Sequence, residues 1–169
     1  MRSRAEAPPH PSWLQRVNQR IASTPPAARL FAYVLHHLDR PVIRVSGGRT
    51  SLTSLLTGLP VVTLRTTGAK SGAMRSVPLI SMRDGAKIVL VASNWGQKHH
   101  PAWYLNLHAH SQVEVSTSGL TRRYLAREAS GEEYEGYWRR AAALYVGYAA
   151  YKERTGGRKI PIVVLTPTE

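Results

Sequence analysis

The chain has no cysteine, which excludes disulfide frameworks, thiolate metal sites and cysteine nucleophiles. Acid is scarce: ten Asp and Glu stand against twenty-three Lys and Arg, a formal charge of +13. Phenylalanine is nearly missing, one residue against eight tyrosines. Long apolar runs are missing too. The longest, Ile88–Ala92 and Ile160–Leu165, fall far short of the ~20 residues that cross a bilayer as a helix. The opening MRSRAEAPPHP has no apolar core of the kind a secretory signal needs, so the expected address is the cytoplasm. What is present suffices for one folded domain: 169 residues, 43% hydrophobic and 20% charged. The basic excess suits an anionic partner (nucleic acid, an anionic membrane face or an acidic ligand), although an arginine-rich proteome gives the same balance with no partner.

No internal repeat or long Pro/Gly linker divides the chain. Residues 1–12 read as a mobile basic tail. Residues 13–58 read as a helical extension and loop. Trp13–Ser23 forms a short helix, and Thr24-Pro25-Pro26 starts a second that sets Leu30, Phe31, Val34, Leu35 and Leu38 on one stripe. That stripe packs on a core or faces a membrane surface or an apolar pocket. From residue 59 to 169 the text turns to β. Strands are expected at Val61–Thr66, Arg75–Met82 and Lys87–Ser93, with Asp84-Gly85 as a hairpin signal. Pro101 opens a short helix to Ala109; Gln112–Thr117 and Leu120–Glu128 form a hairpin around Ser118-Gly119. Ser130-x-x-Glu133 reads as a capping box for a helix from Gly131 to about Glu153, which Gly147 breaks. Ile160–Leu165 closes the chain as a strand. Short strands with turn signals and few helices predict a mainly β, antiparallel barrel with helical additions, not a βαβ fold.

Three places can carry chemistry. The turn Thr66-Thr67-Gly68-Ala69-Lys70-Ser71-Gly72, followed by Arg75, gathers hydroxyls, amides and two cations into a cradle for a phosphate or other anion. It lacks the order of a P-loop, and an ordinary polar hairpin would look similar. The loop from Ala92 to Tyr104 carries Trp95 and Trp103, flat faces for a planar ring, and runs into a helix start. Tyr134, Tyr137, Tyr145, Tyr148 and Tyr151 fall near one helical stripe and bring hydroxyls that can donate to a carbonyl or nitro oxygen. A core stripe is the plainer account of them. The histidines His99, His100, His108 and His110 lack a supporting carboxylate spacing, so no metal is expected. No Gly-x-Ser-x-Gly elbow or carboxylate pair points to a hydrolase.

The segments LRTTGAKSGAMRSVPLI, VASNWGQKHHPAWYLNL, EEYEGYW, LYVGYAAY and IPIVVLTP, in that order, resemble the deazaflavin-dependent nitroreductases of actinobacteria, also described as quinone reductases using reduced coenzyme F420. The resemblance runs from about Pro60 to Pro167. It implies a split β-barrel of the flavin-binding type with an N-terminal helical extension. It also implies an 8-hydroxy-5-deazaflavin cofactor bearing a phosphate and an oligoglutamate tail. By matched position, Lys70, Ser71 and Arg75 would hold the phosphate and tail. Val77, Pro78, Leu79, Ala92, Ser93 and Asn94 would line the ring, and Lys98 and Trp103 would belong to the loop that closes over it. Tyr145, Tyr148 and Tyr151 match tyrosines that shape the acceptor pocket, with Tyr148 the first choice of donor. Ala69, Ile80 and Asn94 depart from the family's common arginine, tyrosine and lysine, which leaves the preferred acceptor open.

The reaction expected is hydride transfer from the reduced deazaflavin to a quinone or nitroaromatic acceptor. The alternatives are an FMN enzyme on the same barrel and a deazaflavin carrier without turnover. A nucleic-acid-binding role is disfavoured because the arginines are dispersed along the chain. Peripheral contact with the inner face of the plasma membrane, through the N-terminal helix, is the remaining expectation for partners.

Overall fold

The computed structural model describes residues 58–117 and 119–168. The expected tail, the two N-terminal helices and the Leu30–Leu38 stripe lie outside the described residues. Six antiparallel strands close a barrel: β1 (Val61–Thr67), β2 (Met74–Asp84), β3 (Lys87–Val91), β4 (Gln112–Thr117), β5 (Leu120–Glu128) and β6 (Ile162–Pro167), in the spatial order β1-β2-β3-β6-β5-β4. Closure comes from β4 returning to β1, with Leu64 opposite Val115. The expected barrel is therefore present. The three hairpins come from local chemistry, a short glycine-bearing turn between runs of period-two apolarity, so all three stand where the sequence puts them. Strand ends shift: β2 runs on to Asp84, β3 stops at Val91 instead of Ser93, and the last strand starts at Ile162 because Ile160 and Pro161 precede the ladder.

The barrel has two cores. Val62, Leu64, Ile88, Leu90, Val113, Val115, Tyr124, Val163 and Leu165 fill the inside, together with Trp103, Tyr104 and Leu107 from helix α1 (Ala102–Ala109). Met82, Val89, Val91, Ile162 and Val164 form an outer face covered by helices α2 (Gly131–Leu144) and α3 (Gly147–Arg154). Strands β3 and β6 thus meet apolar neighbours on both faces, which is why IVLV and IVVL read as unbroken hydrophobic runs. Each such side chain, fully buried, contributes about 1.5–3 kcal/mol.

Two local expectations are corrected. Ser130 is the N-cap of α2 but makes no side-chain cap bond. Its intended partner, Glu133, is instead held by Arg127 of β5 in a two-bond pair at 2.6 and 2.7 Å. A guanidinium fork on the neighbouring strand outcompetes a single backbone amide. The helical break falls at Tyr145 and Val146, and Gly147 opens α3 rather than ending α2.

Candidate active site

Gly68 to Ala73 link β1 to β2. The Gly68 amide donates to the Ala73 carbonyl at 2.9 Å, and the Gly72 amide to the Gly68 carbonyl at 2.8 Å. Asn106 of α1 clamps the turn from below. Its Oδ1 accepts from the Ala69 amide at 3.0 Å, and its Nδ2 donates to Thr66 Oγ1 at 3.0 Å. The Ser71 hydroxyl folds back and accepts from the Ala73 amide at 3.3 Å. Lys70 and Arg75 stand exposed on this rigid turn, and neither pairs with a carboxylate among the described residues. Val77, Pro78 and Leu79 follow on β2, half-buried, opposite Leu64, Thr63 and Val62.

The second wall is the loop after β3. Ala92 and Ser93 are buried, and the chain then enters a single 3₁₀ turn at Asn94–Gly96. Ser93 is right-handed, but Asn94 (φ 49°), Trp95 (φ 57°) and Gly96 (φ 77°) are left-handed in succession. Left-handed backbone costs a non-glycine residue ~1–2 kcal/mol, so two such residues in series need strong surroundings. A right-handed residue followed by a left-handed one also turns successive amides toward one concavity, which suits a ligand's carbonyl or anionic oxygen. Asn94 stabilises the turn with its own side chain, Nδ2 donating to the His99 carbonyl at 3.0 Å. Glycine is required at position 96: a Cβ there would lie 3.0 Å from both Cα and O of Tyr151. Lys98 is exposed, its side chain passing over Gly156. Trp103 is buried in the inner core and meets Tyr104 edge-on at 6.3 Å, so it anchors the loop's far end.

The third wall is aromatic. Tyr145, Tyr148 and Tyr151 are all buried and contact one another edge-to-face at 5.3–6.3 Å. Trp95 meets Tyr151 edge-on at 6.1 Å, and Ile80 packs against the same cluster. The five sequence tyrosines separate by what their hydroxyls do. Tyr134 donates to the Ile160 carbonyl at 3.1 Å and Tyr137 to Asp84 at 2.6 Å, so both are spent on the fold. Tyr145 and Tyr151 bond each other at 3.0 Å. The Tyr148 hydroxyl makes no hydrogen bond among the described residues. Burial raises the pKa of Tyr148 well above a phenol's ordinary value, and burial and the neighbouring Tyr145 raise that of Tyr151. All three stay protonated across the physiological range and act as donors, not as phenolates.

One residue that sequence reasoning missed ties the loop to the barrel. Arg158, half-buried before β6, reaches Ser93 O at 2.8 Å and Gln97 O at 2.9 and 3.1 Å. It also reaches Ala92 O at 3.3 Å and His100 Nδ1 at 3.3 Å. Nothing in the sequence separates it from the other basic residues except the preceding Gly156-Gly157, whose φ values of 66° and 91° mark a left-handed turn. An open groove of about 760 Å³ beside the start of α2 shares no residue with these walls. Two carboxylates, Glu132 and Glu135, and two cations, Arg139 and Lys159, line it.

Residues 39–167 match the family described as F420H(2)-dependent quinone reductase. An F420H(2)-dependent quinone reductase of Mycobacterium tuberculosis is 35% identical over 112 residues, 63% of this chain and 73% of that protein. A solved F420-H2 dependent reductase, FDR-A, superposes with a TM-score of 0.57 at 40% identity, covering 63% of this chain and 93% of that one. Another solved structure, described as a domain-swapped dimer, gives 0.60 at 34% identity over 79% of this chain and 96% of its own. With the barrel, the cationic turn and the tyrosine wall already in place, this chain belongs to the F420H(2)-dependent quinone reductase family.

Proposed function

We propose that this chain reduces a quinone with reduced coenzyme F420, with the acceptor held against Tyr148. The residues fit the cofactor's chemistry. Lys70 and Arg75, which pair with no carboxylate among the described residues, offer two cations to a phosphate and an oligoglutamate tail, with Ser71 and the clamped turn keeping them in place. Val77, Pro78 and Leu79 supply an apolar wall, and after Ala92 the right-handed Ser93 followed by the left-handed Asn94 presents amides to the polar edge of a ring. Lys98 covers the loop from outside, and Trp103 fixes its end. When bound, the reduced deazaflavin supplies hydride in a two-electron step.

The observation that carries the acceptor assignment is the Tyr148 hydroxyl, carried by a buried ring among aromatic neighbours and making no hydrogen bond among the described residues. No sealed side-chain polar atom lacks a partner among the described residues, so this hydroxyl is one that a ligand can reach, and a quinone oxygen would give it an acceptor. Its bond would strengthen as negative charge arrives on that oxygen. Tyr145 and Tyr151, bonded to each other, hold the neighbouring rings in place. Because burial holds the Tyr148 proton tightly, its part is to donate a hydrogen bond, while water supplies the proton that completes the hydroquinone. Nitroaromatic acceptors present the same kind of oxygen and belong to the proposal as slower substrates.

Titration of the purified chain with the deazaflavin, followed by single-turnover oxidation by a menaquinone analogue, tests this reading. Tight binding with rapid quinone reduction is expected. Binding without turnover would make the chain a carrier, and affinity for FMN alone would move it to another class. We further propose a cytoplasmic address with peripheral membrane contact through the Leu30–Leu38 stripe. Among the described residues, no helix is long and apolar enough to cross a membrane. Full-length protein that ignores anionic vesicles at low salt would remove the contact.

A further inference from the structure

We propose that Arg158 is the positioning residue of the ring-lining loop: one guanidinium, binding carbonyls at both ends of the Ala92–Gln97 segment, holds the left-handed turn in the shape the cofactor meets. This rests on the reading of that loop as the deazaflavin wall. The geometry supplies the argument. The bonds to Ala92, Ser93 and Gln97 close the loop at its base. Between those carbonyls lie the three left-handed residues Asn94, Trp95 and Gly96. Backbone in that region persists only where the surroundings over-determine it. The loop's own bonds, Gly96 amide to Ser93 carbonyl at 3.0 Å and Gln97 amide to Asn94 carbonyl at 2.9 Å, span one turn; the Ala92 amide on the Pro161 carbonyl pins its start and Asn94 Nδ2 on the His99 carbonyl its far side, but neither joins Ser93 to Gln97 across the base. Arg158 closes that base.

The chemistry is specific to arginine. A planar fork of N–H donors can meet several carbonyls at once, whereas the compact ammonium of lysine cannot. No carboxylate pairs with Arg158 among the described residues, so its charge is balanced by carbonyl dipoles alone. The carbonyls of Ala92 and Ser93 are turned to the guanidinium and the Ala92 amide is bonded to the Pro161 carbonyl at 2.8 Å, which leaves the Ser93 and Asn94 amides to meet a ligand. His100 must be neutral to accept its contact at Nδ1. The Gly156-Gly157 pair lets the chain bring Arg158 beneath the loop, and Lys98 crosses Gly156 from the other side.

Amide hydrogen exchange of the full chain, measured without cofactor, reads the loop directly. In Arg158→Lys, exchange across residues 93–99 should rise on the order of tenfold or more while strands β3 and β6 keep their protection. Deazaflavin affinity should fall by a similar factor. Methylguanidinium should restore affinity to Arg158→Ala, and methylammonium should not. If Arg158→Ala fails to fold, Arg158→Lys carries the test, since it keeps the stem and the charge. Wild-type exchange and wild-type affinity in Arg158→Lys would overturn the proposal, as would equal rescue by methylammonium. Failure of the wild type to bind deazaflavin would instead overturn the functional reading, while the exchange result would still decide what Arg158 does to the loop.

Discussion

At the scale of single residues, a hydroxyl's partner decides what removing it does. Tyr148→Phe deletes a hydroxyl that makes no hydrogen bond among the described residues, so stability should hardly move. Turnover should fall by ~10²–10³ if the acceptor oxygen is its partner. Tyr145→Phe and Tyr151→Phe each break the 3.0 Å pair, costing about 1 kcal/mol of stability with a smaller effect on rate. Single-turnover oxidation and thermal unfolding of the three variants separate these outcomes; a wild-type rate in Tyr148→Phe removes the donor. His100 sets a pH effect of its own. Burial first, then the charges of Arg158 and His108, lower its pKa, while Glu128 opposes them. A depressed folded value means that protons favour the opened state. The stabilisation is therefore complete above pH ~6.5 and is lost as pH falls through the folded value. Asp84, lowered chiefly by the Tyr137 bond, and Glu133, lowered chiefly by the Arg127 bond, act in the same direction, but only as pH falls below ~4. Loop protection, taken relative to the intrinsic exchange rate at each pH, should fall between pH 7.5 and pH 5, and His100→Asn should flatten that fall.

At the scale of elements, what the sequence makes legible is what is encoded locally. The hairpins at Gly85 and Gly119 need only a turn and two alternating flanks, and the structure places them where the residues say. The division between α2 and α3 is not local. A Cβ at Gly147 would fall inside the Tyr145 ring, so Gly147 is the seat for a side chain two residues earlier, not a helix breaker. The capping box failed for a like reason, because Arg127 on another element takes Glu133. The loop's shape was illegible because Arg158 lies more than sixty residues downstream of Ser93. Gly147→Ala tests this account against propensity. Alanine in a helix should stabilise by about 0.5–1 kcal/mol. Overpacking against the ring should cost ~1–3 kcal/mol, so net destabilisation is expected in denaturant unfolding. A stabilised variant would mean that the ring moves aside freely.

At the scale of the whole molecule, the question is whether +13 acts as a general field or through two placed cations. The field of the entire surface raises the local concentration of any anion and falls away with salt. Lys70 and Arg75 would act differently, through contacts at one turn held by Asn106. Exposed ion pairs contribute ~0.2–1 kcal/mol and charge-assisted hydrogen bonds up to ~1.5–3 kcal/mol. Each alanine variant should therefore weaken binding of the oligoglutamate-tailed deazaflavin several-fold. Arg122→Ala, which removes the same unit of charge from an exposed position on β5, is the control for the field. A tail-less deazaflavin is the control for the ligand, since it offers the turn no anion. Local recognition predicts large losses for Lys70→Ala and Arg75→Ala with the tailed ligand, little for Arg122→Ala, and little for any variant with the tail-less one. Raising salt should shrink the difference between wild type and the turn variants, because screening weakens the contact they lack. Equal losses in all three variants would assign the affinity to net charge and take the turn out of the site, while leaving the tyrosine wall to be judged on its own kinetics.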